Sequence, residues 1–192
     1  MDLHKVGIKF LAEEGSTVEL IEFIPVFHRW IQNGALDLLL IDAADYSHVH
    51  AGPGIVLVAH EGNFSVDETG HRRGLVYYSK HQLPGDMTNR LATVSKHALT
   101  ACRMLEEDGV IKGRLSFPGN EIQIFANDRL QAPNTDETWA ALEPSVKDFL
   151  TKLYDGSEYS IEKEPDPKER FQITVKTEKP VPVATLLERV ST

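Results

Sequence analysis

An α+β domain is predicted, with a mostly antiparallel or mixed sheet of about six or seven strands and three main helices packed largely on one face. Three observations carry that prediction. Short apolar or alternating segments bounded by turn residues recur at 5–12, 55–60, 72–80, 121–127, 159–164 and 170–176, the pattern of half-buried or buried strands. Between them lie three longer stretches whose apolar residues recur at gaps of three and four, the spacing of amphipathic helices. Finally, Asp67-Glu68-Thr69-Gly70 and Pro165-Asp166-Pro167 are turn sequences that fold one strand back beside the last.

The elements follow in order. After the strand at 5–12, Gly15-Ser16-Thr17 offers a turn and a helix cap, and Leu20, Ile21, Ile24, Phe27, Trp30 and Ile31 mark a helix over 18–32. Pro25 falls inside it and predicts a kink or break, and Asn33-Gly34 a C-terminal cap. Residues 36–43 end in a strand near 39–42. A Gly-Pro-Gly turn leads to the apolar run 55–60, which residues 63–67 extend, and 72–80 returns as partner strand. Pro84-Gly85-Asp86 opens a helix with an apolar stripe through Leu91, Val94, Ala98, Ala101, Cys102 and Leu105, closed by Asp108-Gly109. A strand at 121–127 and a loop at 128–134 precede a helix over 136–154, capped near Thr135 and interrupted by Pro144. Strand, then proline-bearing helix, then strand and return occurs twice, which reads equally as a diverged internal duplication and as coincidence. Residues 1–178 are expected to form a single domain and 179–192 a C-terminal tail, docked or partner-binding.

Composition narrows the function. Twenty basic against twenty-nine acidic residues give a net charge of −9, which argues against sequence-independent nucleic-acid binding. The pair Arg72-Arg73 is the best local basic candidate, and a solvated hairpin strand explains it equally. The single cysteine precludes an internal disulfide. The longest apolar run, LDLLLIDAA, is broken by Asp37 and Asp42 and is too short to cross a bilayer. A soluble, cytoplasmic protein is the expectation, without membrane or nucleic-acid partners.

Residues 42–64 hold three of the eight histidines. If 48–50 is extended, His48 and His50 point to one face. With Asp45 or Asp42, and with His60 returning across the Gly-Pro-Gly turn, they could furnish a divalent-metal site of two or three imidazoles and a carboxylate. An exposed loop end accounts for a lone His-x-His just as well. Asp128 and Arg129 follow a strand and precede a helix, where a carboxylate and a guanidinium could grip a small ligand or brace the turn. His28 and His97 fit solvated helix flanks, and Cys102 a small core residue. The phosphate-loop, dinucleotide, nucleophile-elbow and His-Glu-x-x-His signatures are absent from the sequence.

The strings DYSHV, GPGIVLVAHE and NDRLQAPNT resemble those of a group of conserved bacterial proteins to which no activity is attached. The resemblance implies a bacterial, soluble, self-contained protein and supplies neither cofactor nor catalytic residue. The leading expectation is a non-catalytic binding or assembly protein, self-associating through a sheet face or edge. Its rivals are a metal-dependent hydrolase or oxygenase built on Asp45, His48, His50 and His60, and a small-ligand receptor built on Asp128 and Arg129.

Overall fold

The computed structural model describes residues 3–191. One antiparallel sheet of eight strands runs through it: β1 (Val6–Leu11), β2 (Leu40–Tyr46), β3 (Gly54–Ala59), β4 (Gly62–Asp67), β5 (Gly74–Ser79), β6 (Glu121–Ala126), β7 (Tyr159–Lys163) and β8 (Gln172–Thr177). Four helices accompany it: α1 (Phe23–Asn33), α2 (Met87–Glu107), α3 (Asp136–Tyr154) and α4 (Val183–Ser191). The α+β class and the antiparallel sheet match the sequence reading. The strand and helix counts exceed it, for two local reasons. β3 and β4 are separate strands of a hairpin whose turn, His60-Glu61, carries neither proline nor glycine and therefore reads as continuous strand. The expected C-terminal tail contains α4, whose Val183, Leu186, Leu187 and Val190 are buried at helical spacing against the same core. Arg189 Nη1 fastens it by donating to the Leu153 carbonyl at 3.0 Å.

The sheet order is β2-β3-β4-β5-β1-β6-β8-β7, so β1 and β6 are neighbouring inner strands, with Ile8 opposite Ile124. Each half of the chain begins on an inner strand, crosses by a helix to an outer edge strand and returns inward. The first half does this as β1-α1-β2 and a meander through β5. The second does it as β6-α3-β7 and β8. The topology therefore repeats, with the first meander two strands longer.

The helix expected over 18–32 is divided just before Pro25, into a 3-10 turn at Leu20–Glu22 and α1. α1 starts at Phe23 after a short 3-10 turn, so Pro25 lies in the first helical turn, where its missing N–H has no carbonyl to meet. α3 runs on through Pro144. α2 is capped by Asp86, which accepts from the Asn89 N–H at 2.8 Å. It is the core helix, contacting β1, β5, α3 and α4. Alternation along the strands sends Ile8, Phe10, Leu57, Phe64, Leu75, Tyr77, Ile124 and Ile173 toward the helices, where all are buried in one cluster. The opposite face of the sheet has no helix on it, and its buried members, Leu11, Val56, Val76 and Phe125, stand outside that cluster. Among the described residues no helix is long and apolar enough to cross a membrane.

Candidate functional site

On the helix-free face the strands bury Lys9, Ser65 and Asp67. Lys9 projects from the middle of β1 between Val76 of β5 and Gln123 of β6 and is only 2% exposed. Its ammonium donates to Asp67 Oδ1 and, at 2.6 Å, to the Arg72 carbonyl. Thr69 Oγ1 donates to the other carboxylate oxygen of Asp67 at 3.2 Å. Burial holds the Lys9 pKa below its ordinary value, and the neighbouring Asp67 charge opposes that shift without cancelling it. Gly74 makes the arrangement possible, since a Cβ there would lie 2.6 Å from Lys9 Cε. Gly7 does the same for Phe125, whose ring lies flat where a Cβ would stand 2.3 Å from Cζ. Over the outer side of that ring sits Arg170, its guanidinium carbon 3.7 Å from the centroid.

Asp67, Thr69 and Arg170 of this group also line a cavity of about 740 Å³, within the size range of small-molecule sites. Its walls come from opposite ends of the strands. Ala51, Gly52 and Pro53 of the β2–β3 turn, with Asp67 at the end of β4 and Thr69 just after it, line one side. Asn127 and Arg129 after β6, with Glu164, Glu169 and Arg170 of the β7–β8 turn and Gln172, line the other. The twist of an antiparallel sheet raises two diagonal corners toward the same face. In this topology those corners are the β2–β3 and β7–β8 hairpin turns, which occupy equivalent places in the two halves.

The sequence-predicted residues divide. Arg129 lines the cavity, 65% exposed at its side chain and only 3.9 Å from Glu169. Asp128 instead braces the turn by accepting from the Leu130 and Gln131 N–H groups, each at 3.1 Å. The metal set does not converge. Residues 47–51 form a turn, so strand alternation does not put His48 and His50 on one face. Asp45 turns to Ser47, accepting from its N–H at 2.8 Å and its hydroxyl at 2.6 Å, and Ser47 holds its pKa below the ordinary value. His60 lies beyond the far end of β3, roughly 20 Å away by strand length, beside His81 with ring centroids 5.3 Å apart. Among the described residues no three His, Cys, Asp or Glu side chains form a group that could share a metal ion.

Arg72 and Arg73 make no free basic patch. Arg72 forms a two-point contact with Glu121, at 2.8 and 3.3 Å, which raises its pKa. Arg73 binds Glu68 at 2.5 Å and the Ser16 hydroxyl at 3.1 Å. Cys102 is fully buried in α2, and burial drives its thiol pKa up. His97, expected on a solvated flank, stacks on Tyr77 at 4.8 Å, and burial lowers its pKa.

No protein-family model, curated protein or solved structure matches this chain.

The residues that define the cleft were mostly invisible in the sequence. Lys9 sits in an apolar strand and Arg170 in a proline-flanked turn, where a charge is ordinarily solvated. One signal was available: Lys9, inside the apolar strand of KVGIKFLA and two residues from Gly7, is out of place unless it has a buried partner.

Proposed function

We propose that the protein is a non-catalytic binding protein that holds a small polar ligand in the cleft across its helix-free sheet face. The observation that carries this reading is the cleft itself. Equivalent hairpin turns of the two halves wall a cavity of about 740 Å³ that is also lined by Asp67, the buried partner of Lys9. Lys9, Asp67 and Thr69 are bonded to one another, so the group is rigid and its charges are committed to each other. That is preorganised support for recognition, and it favours holding a ligand over exchanging protons with one. The test is a thermal-shift panel of amino acids, hydroxy acids, sugars, nucleosides and phosphomonoesters, with Asn127→Trp as a blocked control. Asn127 is an exposed residue on the cavity wall. A saturable rise in Tm that the tryptophan abolishes is expected. A panel without any response, or responses that survive Asn127→Trp, would sink the reading.

A second reading, self-association, is favoured by the outer margin of β2. Leu39, Ile41, Tyr46 and Val49 are 62, 55, 44 and 44% exposed there, and β2 pairs on one side only. Light scattering decides it. A dimer that becomes monomeric on Ile41→Lys supports this reading, and a monomer at every concentration removes it.

A further inference from the structure

Within the cleft, Arg170 forms no ion pair among the described residues, and the Asp67 and Glu169 charges act on it only from a distance. It is half-buried, its guanidinium carbon sits 3.7 Å from the centre of the Phe125 ring, and it donates a hydrogen bond from Nη2 to Gln172 Oε1 at 3.3 Å. Among the described residues no carboxylate lies within ion-pair distance of it. Asp67 is taken by Lys9 and Thr69, and Glu169 leans toward Arg129. A guanidinium has five N–H donors in one plane. With its face on a ring and its edge toward a cavity, it is set to take two oxygens of one anion side by side. Burial also depresses its pKa, and the Asp67 and Glu169 charges oppose that shift without cancelling it, a cost that a bound anion would relieve.

The other charges of the cleft narrow the anion. Arg129 adds a second cation on the same wall, while Glu164 and Glu169 stand on the rim. Two carboxylates so placed repel a dianion such as a phosphomonoester and attract an ammonium. The cavity is much larger than a bare inorganic anion needs.

Building on the cleft reading, we propose that the ligand is a small zwitterion, a free amino acid or short peptide. Its carboxylate is held edge-on by Arg170 and its ammonium faces Glu164 and Glu169.

Calorimetric titration of the full chain tests this with the twenty amino acids, a set of dipeptides, the matching hydroxy acids and phosphomonoesters. Amino acids or dipeptides should bind, and whichever of the two binds tighter identifies the source. The matching hydroxy acid should bind at least about tenfold more weakly, as should phosphomonoesters. Arg170→Gln should weaken binding by about tenfold or more. Arg170→Lys should recover only part of it, because lysine keeps the charge and loses the planar fork. Arg129→Gln, at an exposed position that leaves folding intact, should cost about two- to fivefold. If Arg170→Gln does not fold, the lysine variant decides alone, and wild-type affinity there overturns the proposal. A ligand that Asn127→Trp excludes but that lacks a carboxylate, or ignores Arg170, overturns the zwitterion assignment and leaves the cleft reading standing. If nothing binds, both fall.

Discussion

On the helix side of the sheet, Ile8, Phe64, Tyr77 and Ile124 meet α1–α4 in one apolar cluster. At the neighbouring positions of the same strands, facing the other way, stand Lys9, Ser65, Val76 and Phe125, also buried. The first face is closed by apolar contact, which is non-directional and tolerant of shape. The second is closed by directed bonds between charges and by two glycines that let long side chains lie flat. A face built only for stability has no reason to bury an ammonium, since burying a pair of charges rarely gains over apolar packing. The difference is the ground on which the proposed reading assigns stability to one side of the sheet and recognition to the other.

The comparison can be broken by substitution. Phe64→Ala, on the helix side, should lose about 3–5 kcal/mol of unfolding free energy in denaturant titration, from lost transfer plus the cavity left behind. On the open side, Asp67→Ala should cost about 3 kcal/mol by stranding the Lys9 ammonium, yet the double change Lys9→Met/Asp67→Leu should recover most of it. A double-mutant cycle that shows simple additivity would mean the pair is not coupled. Gly7→Ala sharpens the contrast further. Its methyl must push the Phe125 ring away, so a loss of about 1–3 kcal/mol is expected. Ligand binding should weaken with it, because Arg170 rests on that ring.

The smallest expected effect is a pH dependence on the helix side. The unfolded His97 imidazole takes up its proton near the ordinary 6.5, while the folded one, desolvated against Tyr77, resists to lower pH. The folded pKa is depressed, so this contribution is whole above about 6.5 and is lost as pH falls through the folded pKa. Tm measured across that range should fall less steeply for His97→Phe, which keeps the ring stack and removes the proton.

How much of this could be read from the sequence follows the same division. The helix face was legible because apolar residues at periods of two and of three to four, as in EIQIFAN and along α2, declare themselves. The β3–β4 turn was not, because His60-Glu61 lacks turn chemistry. α4 was seen only as an apolar patch after two prolines. The open face was the hardest, since its parts are far apart in sequence: Lys9 meets Asp67, and Phe125 meets Arg170 and Gly7. Local clustering drew attention to His48, His50 and His60, which the strand length then separates. Arg129 was singled out because it follows a strand, and it stands on the cavity wall. Its neighbour Asp128 proved to be the brace that the turn itself requires.

The central claim, that the open-face cleft is the binding site, is tested most directly by nuclear magnetic resonance of the nitrogen-labelled protein titrated with the amino acid that raises Tm most. Saturable shifts are expected at residues 51–53, 67–69, 127–129 and 164–172, together with the Arg170 Nε–H. Shifts centred on the 47–50 turn or on the helix side, with the Arg170 signal unmoved, would contradict it.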